Sequence, residues 1–307
     1  MDPIALFFTE HFGWVQNPVV VARQLLAGIS NGMLLFLISA GLSLIFGVSR
    51  IVNFAHGVLF MLGAYFALTI VGLGPESGLW FVLALIAGAV GLFAFGAAVE
   101  MALLRPIYKA AHEFQLLLTF ALVFIVGDLV KLIWGREDHA VAVPSLLTGS
   151  TEAFGVTFPT YRMFLIVFGV VIAIALWWVL HRTRWGILVR AATMDRHMLS
   201  ALGTNTKALF TGVFALGAAL AGLGGALAAP IVAVGPGLHV QVIIDAFVVV
   251  VIGGMASVGG ALVASLLVGI VNAFGVLAFP SAAVVLTFAL MAFVLIVRPW
   301  GLFGTPE

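Results

Sequence analysis

Apolar stretches of roughly the length that a helix needs to cross a bilayer recur along the whole chain. They fall near Leu25–Phe46, Val58–Leu73, Leu79–Leu104, Phe114–Trp134, Met163–Leu180, Ala208–Ala229 and Ala282–Val297, with a longer, glycine-broken stretch over Val242–Ala278. That last stretch holds either one crossing or a short span plus a full one. The pattern therefore predicts an all-α polytopic membrane protein of eight or nine transmembrane helices, some of them broken at glycine. No linker or low-complexity tract divides the chain, so residues 1–307 read as a single transmembrane domain. Two polar connections stand out by length, Gly135–Arg162 and His181–Lys207. The first residues carry Asp2 and Glu10 and no basic stretch, so they are expected to lie at the membrane surface rather than to form a leader peptide.

Charge placement orients the bundle. Arg182, Arg184, Arg190, Arg196 and Lys207 crowd one connection, and Arg105 and Lys109 mark another. An excess of cations marks cytoplasmic loops, which places both of these inside. Gly135–Arg162, with Glu137, Asp138 and Glu152 against Arg136 and Arg162, is expected outside. Arg298 puts the end of the last helix inside, and nine crossings put the start of the first one outside.

Composition narrows the function. The chain is 64% hydrophobic and 8% charged, against about 45–50% and about 25% for a soluble domain. A net charge of +1 and the absence of any basic tract speak against nucleic-acid binding. Without cysteine there is no disulfide, thiolate metal site or thiol nucleophile. The three lysines, Lys109, Lys131 and Lys207, lie in no phosphate-binding loop, and the histidines form no metal-ligand pair. No catalytic residue, metal site or ATP site is expected in this chain. Of the carboxylates near span ends, Glu100, Asp128 and Asp245, the first two are expected at the interface or paired with Arg105 and Lys131.

Polar groups interrupt the grease at three places. In "GVSRIVNFAHGVLFMLG", Gly47–Gly63, the residues Arg50, Asn53 and His56 break an apolar run. One reading is a tight hairpin at the cytoplasmic surface, with Arg50 at the interface, Asn53 capping the next helix and Gly57 easing the turn. The other is a broken helix buried in the bundle, whose freed backbone lines a translocation path. In "VVVVIGGMASVGGALVASLLVGI", the pairs Gly253–Gly254 and Gly259–Gly260 flank a short stretch that includes Ser257. This is either close packing or a second break. Gly28 and Gly32, like Ser265 and Gly269, have the spacing that lets two helices approach closely. The third feature is the basic connection, read as a short helix from about Gly186 to Leu202 and ended by Gly203. Ala191, Ala192, Met194, Met198, Leu199 and Leu202 supply an apolar side, while Arg190, Asp195 and Arg196 supply a polar one. Such a helix lies on anionic membrane lipid or docks into a cytoplasmic partner.

Four blocks give the chain a resemblance to a known family. They are Gly41–Tyr65, with its Asn-Phe-Ala-His-Gly centre; Val99–Tyr108; Thr183–Leu227, with Arg190-Ala-Ala, Asp195 and Leu202-Gly203; and Asp245–Phe274. With the closing Arg298–Gly304, these resemble the permease subunits of branched-chain amino acid ABC importers over nearly the whole length. The resemblance implies a multi-pass subunit of a bacterial inner membrane. It further implies a second homologous permease subunit, two cytoplasmic subunits that bind ATP and Mg, and a periplasmic substrate-binding protein. Under it, residues 183–207 become the coupling segment, with Arg190, Asp195, Arg196, Leu202 and Gly203. Asn53, His56, Gly57, Gly253, Gly254, Ser257, Gly259 and Gly260 become candidates for the pathway wall or gate. Val58 and Asp245 depart from the family's usual residues beside these segments and leave the substrate open: a hydrophobic amino acid, or an aromatic carboxylate, urea or amide. A self-sufficient channel or ion-coupled carrier is the alternative of a different class.

Overall fold

A computed structural model describes residues 13–74, 78–153 and 155–304. The expected surface segment with Asp2 and Glu10 lies outside the described residues. The fold is helical, with one small antiparallel hairpin of β1 (Ser150–Ala153) and β2 (Val156–Pro159) in the acidic connection. The first membrane helices are α1 (Pro18–Ser49), α2 (His56–Val71), α3 (Gly78–Ile107) and α4 (His112–Trp134). After the hairpin come α5 (Thr160–Arg182), the surface helices α6 (Arg184–Met194) and α7 (Arg196–Ala201), and α8 (Thr206–Ala228). The last are α9 (Leu238–Gly253), α10 (Val258–Ala278) and α11 (Pro280–Val297).

Seven of these, α1, α3, α4, α5, α8, α10 and α11, are long and apolar enough to cross a membrane. At 16 residues each, α2 and α9 extend only about 24 Å, short of a hydrocarbon core of about 30 Å. These two short helices are what separates seven full crossings from the expected eight or nine, and both begin inside the bundle.

The start of α1 follows from its sequence: Asn17 accepts the N–H groups of Val19 and Val20, and Pro18 occupies the first turn, where no N–H is needed. α1 and α8 form the buried centre. α3, α4, α5 and α11 surround them and turn side chains such as Phe124, Leu132 and Ile296 outward, as lipid contact requires.

No hydrophobic driving force separates helix from lipid, so close backbone approach holds such a bundle together. α10 lies along α1 at the small residues the sequence singled out. A Cβ on Gly28 stands 2.7 Å from the Ile270 Cα, and one on Gly32 stands 2.8 Å from the Ser265 carbonyl oxygen. α2 crosses α8 in the same way, at Gly63 against Gly222 and at Phe60 against Gly225.

Candidate translocation pathway and coupling segment

α1 ends where Arg50 takes a left-handed φ of 59° and its N–H bonds to the Phe46 carbonyl. The chain does not then turn at the surface. Ile51, Asn53 and Ala55 are buried, and Phe54 packs between Phe120 of α4, on which it stacks, and a tilted Phe247 of α9, at centroid distances of 4.5 and 5.0 Å. The segment climbs back into the bundle, so that α2 starts midway along α1, with His56 Nε2 3.0 Å from the Ile38 carbonyl oxygen and His56 wholly buried. α2 ends at the far side, where the Trp134 indole donates to Thr69 Oγ1. The surface-hairpin reading is thus corrected. Asn53 does not cap α2 either: Ala55 holds the cap position, and Asn53 Oδ1 accepts the Ala55 N–H at 3.1 Å within the buried turn. Helix α2 starts inside because residues 51–55 are spent covering the vertical distance.

Removing that acceptor has a defined result. Asn53→Ala leaves a buried N–H unsatisfied and should cost about 1–3 kcal/mol, read as a lower melting temperature of the detergent-solubilised chain.

A counterpart break precedes α9. α8 ends beside α5, with the Tyr161 hydroxyl donating to the Leu227 carbonyl at 2.7 Å. From there Ala229–Gly237, with Pro230 and Pro236 excluding a helix, passes Val234, which bridges to His139, and re-enters the bundle. α9 begins against the start of α2, where a Cβ on Gly57 stands 2.6 Å from the His239 carbonyl oxygen. The two short helices meet at their N-terminal ends and run in opposite directions. The sequence left Gly253–Gly260 as either close packing or a second break; the prolines and glycines of residues 230–237 were the signal for this break.

Gly253–Gly260 instead forms the tight connection from α9 to α10 at the basic end. A Cβ on Gly253 stands 2.5 Å from the Gly260 carbonyl carbon, so the two helices touch backbone to backbone. Gly254 has φ 98°, and Ala256 has φ 80°, strained for a residue with a Cβ. Ser257 caps α10 by accepting the Gly260 N–H at 3.0 Å. Gly259 meets nothing within 4 Å. Residues 298–304 strap this connection, with the Leu302 and Phe303 N–H groups bonding to the carbonyls of Ile252 and Gly253 at 2.8 and 3.1 Å. Asn53, His56 and Gly57 therefore gather at one end of α9, and Gly253, Gly254, Ser257, Gly259 and Gly260 at the other. They are two places, not one.

The basic connection is two helices rather than the single one expected from Gly186 to Leu202. Thr183 starts α6 by accepting the Gly186 N–H at 3.1 Å. Asp195, extended at φ −148°, ends α6 and caps α7 through the N–H groups of His197 and Met198. Those backbone N–H groups, Met198 first and then His197, hold the Asp195 carboxyl below the usual carboxylate range. Its capping is thus intact above that range and fades only as pH falls through the lowered value. Gly203, at φ 81°, terminates the segment as the sequence indicated.

The expected apolar side divides. Ala192 and Leu199 face the bundle, whereas Met194, Met198 and Leu202 are 87%, 59% and 75% exposed and point away from it. Arg190 bonds to the Leu180 carbonyl at the end of α5, and Arg196 is exposed. Arg50 Nη2 donates to the Thr193 carbonyl at 3.2 Å, tying α6 to the end of α1. A cavity of about 460 Å³ opens at this junction, lined by Ser43, Gly47, Arg190, Thr193, Ser257 and Gly259 among others.

Two groups lay outside the sequence-based site. Glu100 is wholly buried, because a π turn at Glu100–Leu104 directs it inward. It pairs with Arg105 Nη2 at 2.9 Å, as expected, and also accepts the hydroxyls of Tyr108 at 3.1 Å and Thr211 at 2.7 Å. Lys131 pairs with Asp128 at 2.9 Å on the surface. At the acidic end, a second cavity of about 580 Å³ lies between α1, α9 and α10, with Asn31, Asp138, Arg162 and Asp245 in its wall. The two cavities share no lining residue.

Comparison with known proteins places this architecture. Residues 24–295 match the family described as "Branched-chain amino acid transport system / permease component". The chain is 30% identical over 300 residues to the high-affinity branched-chain amino acid transport system permease protein LivH of Salmonella typhimurium, covering 93% of this chain and 96% of the relative. It is 30% identical over 298 residues to LivH of Escherichia coli K12 and 29% identical over 299 residues to BraD of Pseudomonas aeruginosa, with the same coverage. No solved structure matches it. With a family match over most of its length, on a bundle of membrane-crossing helices, the chain belongs to the permease family of branched-chain amino acid transport systems.

Proposed function

We propose that this chain is the pathway-forming permease subunit of an ATP-driven importer of branched-chain or similar hydrophobic amino acids. It works by alternating access, with a second homologous permease subunit, two cytoplasmic subunits that bind ATP and Mg, and a periplasmic binding protein, in a bacterial inner membrane. The observation that carries this reading is the outward-facing apolar patch of Met194, Met198 and Leu202 at the basic end. An exposed apolar patch amid charge marks a protein contact, and methionine suits a surface that repacks. From that patch, Arg50 and the close contact of Gly47 with Thr193 and Ala256 lead to both the end of α1 and the Gly253–Gly260 connection. A push on α6–α7 therefore reaches the elements that flank both breaks. Asp195 and Gly203 shape the segment that carries the patch. The relatives' description as branched-chain amino acid permeases supports the substrate class.

Reconstitution tests this. Proteoliposomes with this chain alone should show no leucine uptake, and uptake should appear with the full set of subunits and ATP. In that full set, Leu202→Glu together with Met198→Glu should lower uptake at least about tenfold, the loss of a central apolar anchor at an interface. Thermal stability of the isolated chain should stay within about 0.5 kcal/mol of the unsubstituted form. Leucine movement by the chain alone, or full uptake by the double variant, overturns the proposal.

A further inference from the structure

The acidic-end cavity holds charge that the fold leaves uncompensated. Arg162 opens α5, and its Nη1 donates to Asn31 Oδ1 of α1 at 3.1 Å, but it has no carboxylate within 4.0 Å among the described residues. Asp245 lies two turns inside α9, where every later residue of the helix is apolar, with no ion pair or hydrogen bond to its carboxylate among the described residues. Asp138 lies at the mouth and is likewise unpaired among them. Two other carboxylates near the membrane are spent on cations, Glu100 on Arg105 and Asp128 on Lys131. A carboxylate within a membrane helix and a partly buried guanidinium are both costly to leave unpaired. Here they line one cavity of about 580 Å³. Gln241 and Asn272 add neutral polar groups to its wall, and Leu34, Ile38, Phe60 and Val242 give it an apolar side.

We infer that this cavity binds a zwitterionic α-amino acid with an apolar side chain. Arg162, steadied by Asn31, takes the α-carboxylate; Asp245 takes the α-ammonium, with Asp138 drawing cations to the mouth; the Ile38, Phe60 and Val242 surface takes the side chain. A guanidinium matches a carboxylate in planar, two-pronged geometry, which an amide or hydroxyl does not reproduce. One cation and one deep carboxylate select a ligand that carries both charges and reject one that carries either alone. The cavity belongs to the outer half of the pathway; none of the Asn53, His56, Gly57 and Gly253–Gly260 residues lines it, but its wall residue Ile38 accepts the His56 hydrogen bond. The inference rests on the proposed import of hydrophobic amino acids and adds where, and by which groups, this chain recognises them.

The test measures equilibrium binding of radiolabelled leucine to the purified permease–ATPase complex without its binding protein. Two competitors each lack one charge: 4-methylpentanoate has no ammonium and 3-methylbutylamine has no carboxylate. The unsubstituted complex should bind leucine at least about tenfold more tightly than either, because each analogue leaves one partly buried charge unpaired. Asp245→Asn should weaken leucine at least about tenfold and close its gap to 4-methylpentanoate, whereas Asp245→Glu should retain the preference. Arg162→Gln should instead close the gap to 3-methylbutylamine. Equal binding of leucine and either analogue by the unsubstituted complex overturns the inference, and that comparison decides even if a variant fails to assemble. So does unchanged leucine affinity in both variants. A complex that imports leucine with its binding protein but binds none without it overturns the site and leaves the import reading standing. A full set of subunits that imports no amino acid overturns the import reading itself.

Discussion

Gly225→Val is expected to prevent this chain from reaching its native packing. A Cβ at Gly225 falls on the Phe60 carbonyl oxygen and 2.9 Å from the Ala64 backbone N. Both are backbone atoms of α2, so no rotamer change relieves the overlap; α8 and α2 must move apart. Overpacking typically costs about 1–3 kcal/mol, and two locked backbones put this position at or beyond the top of that range. The shift would also open the contact at Gly63 and Gly222 and withdraw the cover from α2, which has no second crossing length to fall back on. Purification in mild detergent should give little monodisperse protein, with a melting temperature far below that of the unsubstituted chain. Gly259→Ala is the matched control. A Cβ there meets nothing within 4 Å, so its stability should stay within about 0.5 kcal/mol. Equal loss in both variants sinks the account of close backbone approach.

The second large effect is expected at Glu100. Its carboxylate faces the Arg105 guanidinium in a two-pronged pair, Nε to Oε1 at 3.3 Å and Nη2 to Oε2 at 2.9 Å, with the hydroxyls of Tyr108 and Thr211 completing its shell. Arg105 also contacts Thr211 directly. Glu100→Ala removes the only anion of this group and leaves a cation and two hydroxyls aimed at a void. Breaking one side of a buried pair costs about 3–5 kcal/mol, and because the Arg105 side chain is 31% exposed, the lower end of that range is expected. Replacing both partners, Glu100→Met with Arg105→Met, should recover most of the loss, since no charge is then left unpaired. Thermal unfolding in detergent of the single and double variants reads this directly. A double variant as unstable as Glu100→Ala would show that the shape of the pair, not its charge balance, holds α3 to α8.

The sequence made legible whatever depends on period and length. Spans read at Leu79–Leu104, Phe114–Trp134, Met163–Leu180 and Ala208–Ala229 lie within a few residues of α3, α4, α5 and α8. Gly28, Gly32, Ser265 and Gly269 meet as their spacing suggested, Glu100 and Asp128 find the predicted cations, and Gly203 ends its segment. Depth in the membrane was not legible. Ile51–Ala55 looks like any short connection, because a climb into the bundle and a surface turn use the same residues; only the neighbours Phe120 and Phe247 decide it. The same holds for residues 229–237. Near Asp195 the difficulty is local: an aspartate that reaches the N–H groups of His197 and Met198, two and three places on, stops one helix and starts another. Around that break Met194, Met198 and Leu202 are all exposed, while Leu199 between them is buried.

The meeting of α2 and α9 has a consequence for how the molecule is made. α2 opens in the middle of the bundle, and the residues that cover its first turns, His239, Ile243 and the Gly222–Gly225 stretch, lie in the second half of the chain. As synthesis proceeds from the amino end, the Asn53–His56 segment emerges long before those residues exist. It has no lipid-compatible resting place of its own, since exposed backbone polar groups are not tolerated in hydrocarbon. The early helices must therefore wait, with that segment held at the aqueous boundary, until α8 and α9 arrive to receive it. Closure of the bundle around the residues between α1 and α2 thus has to follow the synthesis of α8 and α9.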